Sequence, residues 1–323
     1  MTGTIGGAAG PVEVAVAAAV LLAAGVALFG RRRMTSVVGF LVLGALLSLY
    51  WALIGAPDVA LAEAAIGTGV TGALFVAAVT LLGRDADIRP SGPAVTALSL
   101  AAGAALAALV GLGLTRGADT AGAAPDRPGL GGAVESALAD TGVDHPVTGV
   151  LLSFRSLDTL MEMVVLLAAA AIALAFLPRV APAEPATPAP SGLILDRFVR
   201  LVAPLLLLLA VWVLVAGSGR PGGAFQSGAV LAATLILLHL GGLLTLRVRP
   251  LLRVALAAGV AAFVLVAGAG LEGGGSWLQI RGPAAGQTIL ALESVLAVTI
   301  GASLATVFLA LGSAAHRQRE DVS

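Results

Sequence analysis

The sequence contains no cysteine and no lysine, and it is poor in charge. The absence of cysteine excludes disulfides, thiolate metal sites and iron–sulfur clusters. All eighteen basic residues are arginine, and eighteen acidic residues balance them, so net charge gives no reason to expect a nucleic-acid partner. The three histidines, at positions 145, 239 and 316, lack the spacing of metal ligands. We therefore expect no metal and no cofactor.

The composition that remains is apolar. Only 11% of the 323 residues are charged, whereas a soluble domain carries about 25%. Mean hydropathy is +1.03, and 59% of the residues are hydrophobic. This composition predicts an all-α polytopic membrane protein, which we expect in a bacterial plasma membrane. No basic stretch precedes Pro11, so we do not expect a cleaved signal peptide.

Nine apolar segments are long enough to cross a bilayer, because a transmembrane helix needs about 20 residues. They lie at roughly 11–29, 34–54, 59–82, 92–114, 158–177, 198–216, 227–246, 251–270 and 288–311.

The arginines indicate how these nine helices are oriented. Five arginines fall on one side of the predicted membrane: Arg116, Arg127, Arg155, Arg220 and Arg281. The other thirteen fall on the opposite side: Arg31, Arg32, Arg33, Arg84, Arg89, Arg179, Arg197, Arg200, Arg247, Arg249, Arg253, Arg317 and Arg319. Cytoplasmic loops carry the excess of basic residues, so we predict the N-terminus outside and the C-terminus in the cytoplasm.

Two long connections divide the chain. Residues 115–150 form a predicted outer loop rich in Gly, Ala, Asp and Pro, and residues 178–195 are rich in Pro and Ala. A Pro-rich segment is extended and semi-rigid, and here it separates five spans from four. We predict a fusion of three units, with one linker: residues 1–90 with three helices, 91–180 with two, the linker 181–195, and 196–323 with four.

Acidic residues near the start of the third span are candidates for ion translocation, because a charge inside a membrane costs about 2.5–3.5 kcal/mol. Asp58 follows Pro57 and is well placed to cap the helix. Glu63 lies five residues further, about 7.5 Å along the helix. The small residues around Glu63 favour close helix packing, although a solvated position at the membrane surface is the alternative.

Three further spans carry candidate residues. Asp158 and Glu162 are four residues apart and share a helix face, with Arg155 on the same side. They form either a surface ion pair with Arg155 or a carboxylate pair in a polar path. Glu293 lies about a turn and a half into the ninth span. His239 is the only histidine well inside a span, where it is either a packed residue or a proton relay.

A polar, glycine-dense break separates the sixth and seventh spans. Irregular backbone is not tolerated against lipid, so the break lies at the membrane surface or inside protein. A tight turn would suffice to explain it. Its sequence, however, resembles the GRPGG-F-Q-G signature of the MrpB/MnhB family, a membrane subunit of multisubunit Na+/H+ antiporters and related hydrogenases. The matching residues are Arg220, Pro221, Gly222, Gly223, Phe225 and Gln226.

Two more segments resemble partners of that family. Residues 55–75, GAPDVALAEAAIGTGVTGALF, resemble the MbhD segment found near the end of MrpA, and 154–175 resemble the MbhE segment that follows it. The resemblance implies an MbhD–MbhE–MrpB fusion with three, two and four helices. It further implies Glu63 and Glu162 as ion-path residues, Na+ and H+ as transported ions, and other membrane subunits as partners. It implies a subunit of a secondary transporter rather than an enzyme.

The sequence departs from the family at several positions. Met161 stands where the family usually has Gly, Leu157 where it has Phe, and Ser294 follows Glu293 in place of an Ile-Gly-Val run. The large antiporter-like subunits use intramembrane lysine, which this chain lacks, so we expect an accessory or coupling subunit. A membrane-arm subunit of a redox-driven relative and a purely structural scaffold remain as alternatives.

The predicted topology can be tested by cysteine labelling, for which the cysteine-free chain gives no background. We expect Gly3→Cys to react with an impermeant maleimide from outside the cell and Asp321→Cys only after permeabilisation, because nine spans place the two ends on opposite sides. Labelling of both positions from one side would contradict the nine-span topology.

Overall fold

The computed structural model describes residues 10–82, 92–122, 130–176, 193–244, 250–272, 277, 280 and 282–320. These residues form helices and short connections, and no strand occurs among them. The all-α fold expected from composition is confirmed.

The first unit is a helical hairpin followed by an interrupted helix. Helix α1 spans Pro11–Phe29, α2 spans Arg33–Leu53 and α3 spans Pro57–Ala62. A π-helical segment, Glu63–Val70, continues α3 into α4, Thr71–Leu82. The hairpin is close because Gly39 has no side chain: a Cβ there would lie 2.8 Å from the backbone nitrogen of Ala27.

The middle unit contains one long isolated helix and a broken segment. Helix α5 spans Pro93–Gly122, α6 spans Leu130–Ala137, α7 spans Pro146–Gly149, and a π-helical turn at Val150–Phe154 leads into α8, Ser156–Phe176. The apolar side chains of α5 from Val95 to Leu112 are exposed. Such a surface suits contact with lipid or with another subunit rather than with water.

The last unit supplies the centre of the fold. Helix α9 spans Leu193–Ala216, α10 spans Ala224–Leu240, α11 spans Pro250–Glu272 and α12 spans Ala285–Glu320. Helix α12 packs against α8, α10 and α11. It buries a row of residues spaced by three and four, as a helix with a continuous apolar face does: Ile289, Leu292, Leu296 and Ile300.

Eight of the nine expected spans are helices long and apolar enough to cross a membrane. The remaining one, expected at 227–246, corresponds to α10, which is a shorter apolar helix of 17 residues. It ends early because Gly241 is its C-cap and Gly242 follows with φ +70°. The linker predicted at 181–195 lies outside the described residues except for its last three positions, which belong to α9. The predicted orientation and unit boundaries stay predictions.

The contact between α10 and α12 depends on Gly228, where a Cβ would lie 2.6 Å from the Cβ of Ile300. We expect Gly228→Ala to destabilise the protein by about 1–3 kcal/mol, because overpacking forces the helices apart. Gly268→Ala on α11 is the matched control, since open space surrounds that position. It should be neutral or stabilising, because alanine favours a helix over glycine. Thermal unfolding in detergent measures both, and equal midpoints would contradict the close α10–α12 contact.

Candidate functional site

The glycine-rich connection between α9 and α10 folds back onto the end of α9. Gly222 and Gly223 have φ values of +154° and +116°, which favour glycine. The N–H of Gly223 donates to the carbonyl of Val213 at 3.0 Å. A Cβ on Gly217 would lie 2.6 Å from the Cα of Gly223, so the two backbones touch. This connection, residues 217–223, is called the signature loop below.

Asp58 connects the signature loop to the other two units. Its Oδ2 lies 2.9 Å from Nε2 of His145, and its Oδ1 accepts a hydrogen bond from the N–H of Gly222 at 3.3 Å. The side-chain amide of Gln226 donates to the backbone carbonyl of Asp58 at 3.4 Å. Asp58, which belongs to the first unit, is thus bonded to residues of the middle unit and of the last unit.

The capping role expected for Asp58 is wrong. Helix α3 begins at Pro57, its N-cap is Ala56, and no side chain caps it. Asp58 lies in the first helical turn, and its carboxylate points away from the helix end because both oxygens are engaged by distant parts of the chain.

The segment before α7 is fixed to the signature loop through backbone groups. The N–H groups of Asp144 and His145 both donate to the carbonyl of Ser218, at 2.9 and 3.1 Å. The hydroxyl of Thr148 donates to the carbonyl of Gly217 at 2.6 Å in a buried contact. With the contact between Asp58 and His145, these bonds bring the starts of α3 and α7 to the end of α9.

A cavity of about 340 Å³ opens beside this junction. Its walls come from all three units and are mainly apolar. The polar side chains among them are those of Asp58, Thr148, Thr159, Glu162, Gln226 and Glu293. The full lining is Asp58, Val59, Ala62, Ile66, Val147, Thr148, Leu151, Leu152, Thr159, Glu162, Gly222, Gly223, Ala224, Phe225, Gln226, Glu293 and Leu296.

Glu293 is the most buried carboxylate of the cavity, with 3% of the residue exposed. The backbone N–H of Ala224, at the start of α10, donates to the carboxylate. Its Oε2 is buried without a hydrogen-bond partner among the described residues. A Cβ on Gly223 would lie 2.9 Å from the Oε1 of Glu293. The carboxylate fits beside Gly223 because that residue has no side chain.

Glu162 and Asp158 behave differently although they share one helix. Glu162 is exposed and lines the wall of the cavity that α8 forms. Asp158 points outward and pairs with Arg155, with 2.6 Å between its Oδ2 and the arginine Nη2. Both side chains of that pair are at least half exposed, at 70% for Arg155 and 50% for Asp158, which is the geometry of a surface ion pair.

Glu63 and His239 lie outside the cavity lining. Glu63 begins the π-helical segment, and its carboxylate lies between Gly67 and Gly44; a Cβ on Gly44 would be 3.1 Å from its Oε1. His239 lies in the last turn of α10 rather than well inside a span, and its Nδ1 donates to the carbonyl of Leu244 at 3.2 Å.

The signature residues divide into two groups. Gly222, Gly223, Phe225 and Gln226 line the cavity, whereas Arg220 is exposed and Pro221 is half-buried.

Sequence reasoning missed His145, the direct partner of Asp58. The two residues are 87 positions apart, and His145 lies in a loop without a periodic pattern. The only signal was a histidine directly before Pro146 at the start of a helix, which does not identify a partner.

Two regions of the chain match protein families. Residues 18–84 match MbhD, a family described as one of the subunits of MBH, and residues 194–319 match MnhB, a domain related to the MnhB subunit of Na+/H+ antiporters. No curated protein matches the chain at the level of sequence. The MbhE-like assignment of residues 91–180 stays a prediction.

Two solved structures share the fold. A chain in the Mrp complex from Dietzia sp. DQ12-45-1b superposes with a TM-score of 0.75 at 23% identity, over 95% of this chain and 35% of that one. A chain of the membrane-bound sulfane sulfur reductase, an archaeal respiratory membrane complex, gives a TM-score of 0.51 at 22% identity, over 65% of this chain and 96% of that one. This chain therefore spans about a third of the length of the Mrp relative. The chain therefore carries a region similar to MbhD and a region similar to MnhB on one polypeptide.

Proposed function

We propose that the chain is an accessory, ion-path subunit of a multisubunit Na+/H+ antiporter complex of the Mrp type. The observation that carries this proposal is the cavity, because Asp58, Glu162 and Glu293 reach it from three different units. The two family domains support the assignment to such a complex.

The buried state of Glu293 favours an ion-translocating role. A carboxylate inside a membrane protein costs about 2.5–3.5 kcal/mol on insertion scales and persists where it serves a path or finds a partner. Here one oxygen accepts the N–H of Ala224 and the other has no hydrogen-bond partner in the described part of the chain. A free carboxylate oxygen can take a proton or, as a hard ligand, a cation such as Na+.

Glu63 is proposed as a second station of the same path. It does not line the cavity, but its neighbour Ala62 and Ile66 on the next turn do. The helix is π-helical from Glu63 onward, and such segments are frequent at functional sites. The π-helical segment also packs against α2 and α10, so Glu63 lies in protein rather than against open lipid.

The proposed partners are other membrane subunits, including a large antiporter-like one. This chain has no lysine to serve as an intramembrane proton relay. The apolar faces of α1 and α5 are exposed, and the Mrp relative extends well beyond the matched third. A multi-pass location in a bacterial plasma membrane is proposed with it.

A membrane-arm subunit of a redox-driven complex is the second candidate. The MbhD family is named for MBH, and the fold is shared with an archaeal respiratory complex. Purification of the native complex separates the two: subunits with redox metals bound by cysteine would favour this candidate, and antiporter subunits alone would favour the first.

We expect Glu162→Gln, Glu293→Gln and Glu63→Gln each to slow Na+/H+ exchange at least about tenfold. A positioned proton-transfer group contributes at least roughly 10²-fold to a rate, so about tenfold is a conservative lower bound. Glutamine keeps the size of the side chain but neither titrates nor carries charge. Exchange is measured in vesicles that contain the assembled complex, and subunit co-purification is measured in parallel.

Asp196→Asn is the matched control. Asp196 forms an exposed pair with Arg200 on α9, away from the cavity, with 2.9 Å between Oδ2 and Nε. Its loss should leave exchange unchanged, because exposed pairs contribute only about 0–1 kcal/mol. Wild-type exchange in all three glutamine variants, at normal assembly, would leave the structural scaffold as the role of this chain.

A further inference from the structure

We propose that His145 is a proton relay that connects the predicted outer surface to the cavity through Asp58. The proposal rests on the proposed function of the cavity. It adds a residue outside the candidates that sequence reasoning supplied.

The geometry places His145 between solvent and the cavity. Its Nε2 lies 2.9 Å from Oδ2 of Asp58, and Asp58 lines the cavity. Each of the two side chains is 13% exposed, so the pair is mostly covered but is still reached by water. His145 directly precedes α7 and lies outside the helices that are long enough to span a membrane.

A structural role does not by itself account for the imidazole ring. The segment is already held by the N–H groups of Asp144 and His145 on the Ser218 carbonyl and by Thr148 on the Gly217 carbonyl. Asp58 is likewise held through Gly222 and Gln226. The ring contact therefore adds little to docking, whereas it adds an imidazole, the side chain that most often transfers protons in proteins.

The relay moves one proton in each reaction cycle. A hydronium ion gives a proton to Nδ1 of a neutral ring that carries its hydrogen on Nε2, which forms an N–H bond and leaves water. The Nε2–H bond then breaks as its proton moves to Oδ2 of Asp58, which leaves a neutral ring and a neutral carboxyl group. Asp58 releases this proton toward the cavity, and the ring returns to its first tautomer by exchange with water.

Among the described residues, charged groups lie on four elements that meet at or near the ring. Asp58 on α3 is in direct contact, Asp144 is the exposed neighbour in the same segment, and Arg220 is exposed on the signature loop. Glu162 on α8 lies on the wall of the cavity that Asp58 also lines. Asp58 is thus the proton acceptor within hydrogen-bond distance of the ring.

Two substitutions separate a relay from a hydrogen bond. His145→Gln keeps an N–H donor for Asp58 but cannot pass a proton, and His145→Ala leaves a space of about the size of imidazole. We expect both to slow exchange at least about tenfold. This is less than the roughly 10²–10⁴-fold that a positioned acid or base contributes to the rate of a chemical step, because water offers the proton a parallel route. Imidazole in the buffer should restore His145→Ala and not His145→Gln, with its effect following the pH profile of the wild type.

Exchange is compared in vesicles that contain the complete complex, among variants that co-purify with normal subunit ratios. His145→Asn replaces either variant if that variant fails to assemble. Asp144→Asn is the local control and should exchange at the wild-type rate, because its side chain is exposed. Added imidazole should leave the wild-type rate unchanged.

Wild-type exchange by His145→Gln would overturn the relay, whether or not His145→Ala is slow. Slow exchange by His145→Ala that imidazole does not restore would also overturn it. Exchange by Glu162→Gln, measured in the same experiment, distinguishes failure of the His145 relay from failure of the ion-path role of the cavity. If Glu162→Gln is slow while His145→Gln is normal, only the relay fails; if both are normal, the ion-path role of the cavity fails as well.

Discussion

The position of the cavity depends on one carboxylate, that of Asp58. Through its side chain and its backbone carbonyl, this residue binds partners 87, 164 and 168 positions further along the chain. Long-range contacts of this kind determine how helices far apart in the chain meet, because hydrophobic burial in a membrane does not choose between neighbouring helices as it does in water. The cavity forms where these contacts converge, at the start of α3 and the end of α9.

Glycine makes the convergence possible. The signature loop needs Gly222 and Gly223 at positive φ and needs Gly217 where two backbones touch. A side chain at any of these positions would strain the loop or separate it from α9. The same absence of a side chain at Gly223 leaves the space in which the carboxylate of Glu293 lies. The same glycine, Gly223, therefore determines both the conformation of the signature loop and the space around the Glu293 carboxylate.

The sequence predicted the helices well and the site incompletely. Hydropathy located eight of the nine spans because the length and apolarity of a segment decide whether it can cross a bilayer. It overextended α10, whose end is set by Gly241 and Gly242 within an otherwise apolar run. Helical periodicity placed Asp158 and Glu162 on one face, yet one pairs with Arg155 at the surface and the other reaches the cavity. Periodicity describes a residue's own helix, whereas the cavity depends on which helices surround it.

The cavity combines two features that a pure scaffold would lose by selection for stability. A buried carboxylate with one oxygen that lacks a partner in the described part of the chain is costly, and a glutamine or an apolar residue of similar size would remove that cost. A void beside it forfeits packing contacts for the side chains that line it. The two features occur at the same place, on α12 and on the signature loop, and each makes the other useful. On the proposed ion path, the void leads to the wall that Glu293 forms, where the carboxylate can bind a proton or a cation. Their coincidence at the meeting point of three units favours an ion path over a scaffold.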